Sequence, residues 1–476
     1  MDFVRRAECP FHEQFMIRTF LLTGLLASLV SFMGGPSPEA ARPNIVFILA
    51  DDLGWGDLSA YRPDGGAADV WTPHVDSLMR AGVRFRRFYA NSSVCSPSRA
   101  SLLSGRYPER VGVPGVIRDD TTDSWGYLAP GPLLPDYLRE AGYHTALMGK
   151  WHLGLESPNL PNERGFDEFY GLLEGMMDDY TAKRRHGQNF LRHNRRTIDP
   201  PGHATDVFTD AAIRYLNGRR AGQPFFLYLA YTAPHDPLQP PADYLERVRQ
   251  RQPGIDPQRA RLVALIEHLD DAVGRVLAAL RRNGQLNNTL IIFTSDNGGW
   301  GPGKAHNGPV RGVKGQLYEG GIRIPAGLLW PGKVAPGQVS DTPLQLMDWM
   351  PTLLKIIGRN ARKPVDGRSF LTLLTRSSSA DSEVAIFTDR PLFYVRREGQ
   401  DTYKGLSVQA VRQGDWKLLQ PTPFAPYELY DLKQDPGETT NLAEREKPKR
   451  DELVKRLMEH IRQGGSVPWQ KPATKI

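Results

Sequence analysis

Cysteine is nearly absent from this sequence: Cys9 and Cys95 are the two thiols among 476 residues. We expect Cys9 to be removed with an amino-terminal leader, so the mature chain has no pair for an internal disulfide. Long apolar runs are scarce too, because the most prominent one, Phe20–Met33, is shorter than the about 20 residues of a membrane span. Helix-turn-helix, zinc-finger and aromatic RNA-binding patterns are missing, which argues against a nucleic-acid partner. No internal repeat is evident.

The amino terminus has the pattern of a secretory signal. Arg18 precedes the apolar run Phe20–Met33, and small residues follow it through position 41. We therefore predict that residues 1–41 are a signal peptide and leader, and that the protein is secreted or periplasmic, with no membrane span after removal. A retained anchor and a buried helix are the alternatives. Initiation at Met16 would give a more ordinary signal than initiation at Met1.

Glycine and proline are plentiful, at 46 and 39 residues, and predict many turns and long loops. A hydrophobic content of 40% and a charged content of 24% are typical of an ordinary soluble protein. The net charge of +7 mildly favours anionic partners. The length allows one large domain with a smaller one beside it.

Two continuous apolar runs are each followed by side chains that carry oxygen. The runs, Asn44–Ala50 and Leu290–Thr294, are typical of strands buried on both faces. Open α/β sheets bind ligands at the carboxyl ends of such strands. A donor set made only of oxygen suits a hard cation such as Ca²⁺ or Mg²⁺, although a solvated acidic loop or a helix cap would show the same residues. The predicted ligands are Asp51, Asp52, Asp296 and Asn297.

Cys95 opens a segment with unusual chemistry, Cys95–Arg106, which reads CSPSRASLLSGR. Pro97 suits the first turn of a helix, so the thiol would lie over the positive end of the helix dipole, beside Arg99. Such a position stabilises anions. A buried structural cysteine at a strand–helix turn is the alternative.

Two further segments carry candidate site residues. Lys150 and His152 alternate with Trp151 in the run GKWHLG, and an extended chain would point both the same way. His235 follows the apolar run Pro224–Tyr231, at the carboxyl end of another predicted strand.

The segment at Cys95 resembles the signature of the type I, formylglycine-dependent sulfatases. Gly149–Gly154 resembles the second signature of that family, and Lys314–Gly321 resembles its Lys-Gly-x-x-Tyr-Glu-Gly-Gly segment. Glu428–Glu438 resembles the small carboxy-terminal subdomain. The resemblance covers roughly residues 43–461 and is closest to relatives of arylsulfatase A and N-acetylgalactosamine-6-sulfatase.

The resemblance implies a chemistry for the site. A modifying enzyme would oxidise Cys95 to formylglycine (3-oxoalanine), whose hydrate attacks a sulfate ester. A divalent cation, usually calcium with Mg²⁺ as the alternative, would bind the four oxygen ligands and an oxygen of residue 95. Asp296 would accept a proton, His235 or Lys314 would protonate the departing alcohol, and His152 would act as a base. The implied catalytic residues are Cys95, Arg99, Lys150, His152, His235 and Lys314.

The resemblance also implies an α/β fold like that of alkaline phosphatase, with a large mixed sheet flanked by helices and a smaller carboxy-terminal α+β subdomain. We place the catalytic domain at residues 42–375 and the subdomain at 376–476. The pattern predicts a long scaffold helix over 259–282 and a linker over Leu371–Asp381. It predicts subdomain strands at Val384–Thr388, Gly405–Arg412, Asp415–Leu419 and Tyr427–Asp431, and a helix over 446–463.

The substrate stays open at this stage. Basic residues crowd positions 183–196, which would form either a solvated loop or a subsite for a polyanionic glycan. The stretch 172–180 lacks the Ser or His that some relatives carry there, so a sulfated polysaccharide or glycosaminoglycan is favoured over a simple aryl sulfate. His306 has no assigned role. The alternatives are a phosphate or phosphonate ester hydrolase, and a glycan-binding homologue in which Cys95 is never converted.

Overall fold

The computed structural model describes residues 42–118, 128–220, 222–375, 380–398, 406–464 and 467. The predicted leader, residues 1–41, lies outside the described residues. None of the described helices has both the length and the apolar character that a bilayer crossing requires.

A mixed sheet of eleven described strands forms the centre of the protein. Its strands are β1 Asn44–Ala50, β2 Val83–Tyr89, β3 His144–Lys150, β4 Glu168–Leu172, β5 Leu191–His193, β6 Arg196–Thr197, β7 Phe225–Ala230, β8 Thr289–Ser295, β9 Arg323–Leu329, β10 Gln338–Ser340 and β11 Leu344–Gln345. Their order is β10-β2-β9-β8-β1-β7-β3-β4-β5-β6, and β11 pairs with β2. The five strands β8, β1, β7, β3 and β4 run parallel, so their carboxyl ends share one edge.

Helices cover both faces of this sheet. They are α1 Pro73–Arg80, α2 Cys95–Ser104, α3 Leu134–Glu140, α4 Ala204–Asn217, α5 Ala242–Arg251, α6 Pro257–Arg282, α7 Glu319–Ile322, α8 Trp349–Ile356 and α9 Leu371–Thr375. Strand β1 shows why two layers form: Val46 and Ile48 pack with α4 and α6, while Phe47 and Leu49 pack with α2, α3 and α8. Every residue of β1 is buried, as its unbroken apolar run predicted.

The predicted scaffold helix is confirmed as α6. The side chain of Asp256 accepts hydrogen bonds from the backbone N–H groups of Gln258 (2.9 Å) and Arg259 (3.0 Å) at its start. Gly284, with a φ of 66°, follows its end.

A second, antiparallel sheet of four described strands lies in the carboxy-terminal part. After α10 (Ala380–Asp389) it contains β12 Leu392–Arg397, β13 Ser407–Gln413, β14 Trp416–Gln420 and β15 Glu428–Asp431, and α11 (Lys447–Gly464) packs on it. The predicted architecture, a large mixed sheet with helices and a smaller antiparallel sheet, is confirmed.

Two local predictions were wrong. Residues 384–388 lie in α10 rather than in a strand, and the first strand of the second sheet is β12. Branched residues misled the pattern, because Val384 and Ile386 are exposed and Phe387 is the apolar residue of that run that packs into the core. The predicted linker contains α9 and the start of α10, and the basic segment contains β5 and part of β6, which are too short to show a period.

Candidate active site

The carboxyl ends of the parallel strands bring the predicted residues together. Asp51 and Asp52 follow β1, Asp296 and Asn297 follow β8, Lys150 is the last residue of β3, and the loop after β7 carries His235. All six side chains are buried. The shared edge follows from the parallel pairing, which places the ends of neighbouring strands side by side.

Each buried carboxylate of this group contacts a cation. The Nζ atoms of Lys150 and Lys314 lie 2.6 Å from Asp51 Oδ2 and Asp52 Oδ2, respectively. Arg99 donates from Nε (3.0 Å) and Nη2 (2.8 Å) to Asp296 Oδ2. Burial of these acids is tolerated because the positive charges lie beside them.

Cys95 is the first residue of α2 and is itself buried. Burial raises the pKa of its thiol, but the ammonium groups of Lys150 and Lys314 outweigh that effect and lower the pKa to about 7. The position therefore stabilises a negative charge, as the helix start and the neighbouring cations predicted.

The donor set fits a hard cation. Oδ1 of Asp51 and Oδ1 of Asn297 are buried without a hydrogen-bond partner among the described residues, although both are strong acceptors. Burial raises the pKa of Asp51, and burial together with the neighbouring Asp51 raises the pKa of Asp296 to about 7. A bound cation would stabilise the charged forms of both groups.

The residues whose ligand atoms lie close enough to share one ion differ from the predicted ligand set in two respects. Ligand atoms of Asp51, Asp52, Cys95 and His235 all lie within 4.8 Å of one another. His235, predicted as a catalytic residue, is thus part of this group. Asp296 lies outside that group; its Oδ2 accepts hydrogen bonds from Arg99, and its Oδ1 accepts the backbone N–H of Asp52 at 3.2 Å.

Two residues of the site have strained backbones. Asp52 and His152 have φ angles of 62° and 59°, in the left-handed region that non-glycine residues rarely adopt. Residues persist in such conformations where the surrounding structure over-determines them, and they cluster at functional sites.

Lys314 is positioned by contacts on both sides. Its backbone N–H donates to Gly299 O at 3.0 Å, close to Asn297, and the N–H of Gly315 donates to Ser93 O at 2.8 Å, close to Cys95. Its Nζ also lies 2.9 Å from Nε2 of His235. The segment therefore connects both halves of the site.

A cavity of about 630 Å³ opens over these residues. Cys95, His152, His235 and Lys314 line it, together with Gly175 from the stretch 172–180. Sequence reasoning missed several other lining residues. These are Arg118, Asp236, Trp300 and Arg396, for which no motif exists, whereas Arg185 and His186 belong to the basic segment.

His306, left unassigned, is not among the residues that line this cavity. Its backbone N–H donates to Asp57 Oδ2 at 2.9 Å, and its ring lies against Gly56, where an added Cβ would be 2.2 Å from Nδ1. These contacts are those of a residue that shapes a loop.

The charge environment of Cys95 predicts a titration. In protein isolated with Cys95 unmodified, freed of metal and carrying Cys9→Ser, we expect alkylation by iodoacetamide to reach half its maximal rate near pH 7, because the thiolate reacts. Lys314→Met should raise this midpoint by at least about one pH unit. The exposed Lys333→Met is the control and should leave it unchanged. A midpoint at the ordinary thiol value would contradict the described environment.

Comparison with known proteins agrees with this geometry. Residues 43–359 match the family model described as Sulfatase, and residues 313–465 match the model described as N-sulphoglucosamine sulphohydrolase, C-terminal. N-acetylgalactosamine-6-sulfatase of Mus musculus is 32% identical over 443 residues, which cover 86% of this chain and 76% of that protein.

Solved structures show the same likeness. Ps i-CgsB, solved in complex with k-i-k-neocarrahexaose, is 29% identical with a TM-score of 0.79, covering 90% of this chain and 95% of that one. The PsFucS1 sulfatase from Pseudoalteromonas sp. is 26% identical with a TM-score of 0.72, covering 90% and 92%. These likenesses agree with the predicted alkaline-phosphatase-like architecture.

Proposed function

This chain belongs to the sulfatase family and is a sulfate-ester hydrolase, and we propose that it removes sulfate from a sulfated carbohydrate through a formylglycine formed from Cys95. The observation that carries the proposal is the convergence of Lys150, His235 and Lys314 on Cys95, which lines the cavity together with His235 and Lys314. The N-acetylgalactosamine-6-sulfatase relative and the saccharide complex of Ps i-CgsB support a carbohydrate substrate.

The cations of the site answer the main difficulty of this reaction. A sulfate monoester is an anion, so an approaching nucleophile is repelled unless positive charge is already in place. When bound, Ca²⁺ or Mg²⁺ held by Asp51, Asp52, Asp296, Asn297 and residue 95 would add positive charge there, and the formylglycine hydrate would supply the nucleophilic oxygen. Lys150 and Lys314 add further positive charge at fixed positions.

The proton that the departing alcohol needs can come from the Lys314–His235 pair. Their nitrogen atoms are 2.9 Å apart, so one proton lies between them, and both residues line the cavity. Nδ1 of His235 lies 2.7 Å from the backbone oxygen of Asp236, and since a carbonyl only accepts, Nδ1 carries a hydrogen. The ring is thereby oriented with Nε2 towards Lys314.

His152 is arranged to accept a proton. Its Nε2 lies 2.7 Å from the backbone oxygen of Ile117, so Nε2 carries the hydrogen and Nδ1 carries the lone pair. Nδ1 is buried without a partner among the described residues. Burial, with Lys150 and Arg99, holds the pKa of His152 well below its usual range, so the ring is neutral at pH 7 and available as a base.

The remaining sequence predictions complete the proposal. We propose that residues 1–41 are removed on export to the periplasm or the medium, which amino-terminal sequencing of the mature protein would test. Residues 42–375 are proposed as the catalytic domain and 376–476 as the subdomain.

The activity is tested with a panel of defined sulfated saccharides, nitrophenyl sulfate and nitrophenyl phosphate. We expect sulfate release from a saccharide, its loss in Cys95→Ala, and a Cys95 peptide from the native host that is lighter than the thiol form. Faster turnover of the phosphate would favour a phosphate or phosphonate ester hydrolase. An unconverted Cys95 peptide with retained saccharide binding would favour a non-catalytic glycan-binding protein.

Metal binding is expected at one site per chain. Calorimetry of metal-free protein should show one Ca²⁺ bound, and Ca²⁺ at 100 times its Kd should raise the free energy of unfolding by about 2.7 kcal/mol. Asp51→Asn should weaken binding at least about tenfold, because it removes a negative ligand. Asp64→Asn, which alters an acid paired with Arg84 away from the cavity, is the matched control and should bind Ca²⁺ normally. Equal affinities of the two variants would contradict the assigned site.

Gly175 is expected to determine the position of His152. A Cβ added at residue 175 would lie 2.2 Å from Nε2 of His152, so Gly175→Ala must displace the ring. Because misplacing a catalytic group by about 1 Å costs on the order of 100-fold in rate, kcat for sulfate release should fall by about that factor. Gly218→Ala is the control, since its Cβ would meet no atom closer than 3.5 Å. An unchanged kcat in Gly175→Ala would remove His152 from the mechanism.

A further inference from the structure

The cavity lining includes arginines that the proposed sulfate chemistry does not use. Arg396 comes from β12 of the second sheet, and Arg185 comes from the basic segment before β5. Both line the same cavity as Cys95 and Lys314. Two distant parts of the chain thus each contribute an arginine to the lining of the candidate site.

Arg396 is fixed by two contacts and keeps one nitrogen available as a hydrogen-bond donor. Its Nε lies 2.9 Å from Glu398 Oε1 and its Nη1 donates to Gly315 O at 2.9 Å. Its side chain is 8% exposed, and its Nη2 has no hydrogen-bond partner among the described residues. Glu398 also contacts Arg118 at 2.8 Å, so this one carboxylate lies between two guanidinium groups.

Arg185 is arranged in a similar way. Its Nη1 lies 2.7 Å from Asp178 Oδ1, while its Nε and Nη2 have no hydrogen-bond partner among the described residues. The anchoring acid, Asp178, also accepts the backbone N–H of His186 at 2.6 Å, which holds the loop in place. Each arginine therefore lines the cavity while an acid fixes one side of its guanidinium group.

We propose that Arg185 and Arg396 form a subsite for a second anionic group, a carboxylate or a second sulfate, on the same saccharide as the sulfate that is removed. The inference rests on the proposed function and adds the class of substrate: a saccharide with two anionic groups. The planar guanidinium group binds such oxyanions through paired hydrogen bonds, and partial burial strengthens the attraction. The cavity volume of about 630 Å³ is within the range of ligand pockets and exceeds the space that one sulfate needs.

The test compares three disaccharides. All contain the sulfated sugar that is desulfated fastest in the activity panel, and they differ in the second sugar. This second sugar, the neighbour of the sulfated one, is a neutral hexose, a hexuronic acid or a sulfated hexose. Dissociation constants are measured by calorimetry on the Cys95→Ser protein, which binds without turnover, and kcat/KM is measured on the converted enzyme. The variants are Arg185→Gln, Arg396→Gln and the control Arg195→Gln, which lies in the same basic segment with a 70% exposed side chain outside the cavity lining.

We expect Arg185→Gln and Arg396→Gln to weaken binding of one or both doubly anionic disaccharides by about 10- to 100-fold, as for the loss of a charged hydrogen bond. The dissociation constant of the disaccharide with the neutral neighbour should change less than about twofold. Arg195→Gln should leave the dissociation constants of all three disaccharides unchanged. If only the disaccharide with hexuronic acid loses affinity in these variants, the subsite binds a carboxylate. If only the disaccharide with sulfated hexose loses affinity, the subsite binds a second sulfate.

An equal loss for all three disaccharides would overturn the subsite, because Arg396 would then act through Gly315 and Lys314. Unchanged affinities, or no binding of any disaccharide, would overturn it as well. Charge-selective binding without sulfate release from any of the three would instead support the subsite and refute the proposed hydrolysis of that saccharide.

Discussion

The compensation of buried charge at the ends of β1 and β8 is the constraint on which the rest of the structure depends. Three carboxylates, Asp51, Asp52 and Asp296, are almost completely removed from water. An uncompensated buried charge costs several kcal/mol, so each acid requires the cation beside it. Those cations come from α2, β3 and the loop before α7, and the same requirement therefore brings these three parts of the chain to one place.

The second sheet takes part in this arrangement through another buried ion cluster. Lys417 of β14 lies 3.1 Å from Glu319 and 2.8 Å from Glu438, and all three side chains are buried. Burial raises the pKa of Glu319, but Lys417 and Arg412 outweigh that effect and lower it to about 2. Glu319 begins the short helix that follows the Lys314 segment, so the carboxy-terminal sheet anchors that segment from behind. Arg396, from the same sheet, contacts the segment at Gly315.

Long elements with a regular apolar pattern were predicted correctly from the sequence. The run Asn44–Ala50 is buried on both sides and reads as continuous apolar sequence, and α6 repeats its apolar positions over 26 residues. Short elements were read poorly: the residues 384–388 have a strand-like composition, yet they form a helix with one packed aromatic ring. In such short runs, local composition is weaker than tertiary packing.

The sequence alone determined which groups could do the chemistry, because thiol, amine, imidazole and carboxylate positions after predicted strands are properties of the chain itself. That these groups lie at one edge of the sheet was predicted from their positions after strands. The parallel pairing of β8, β1, β7 and β3 confirms it. Only the tertiary structure decided which residues surround them. Arg396 and Arg185 are separated by some 200 positions, and no local pattern marks the cavity they share. The physical reason is that a cavity wall is formed by packing between distant segments, whose contacts depend on the whole fold rather than on neighbouring residues.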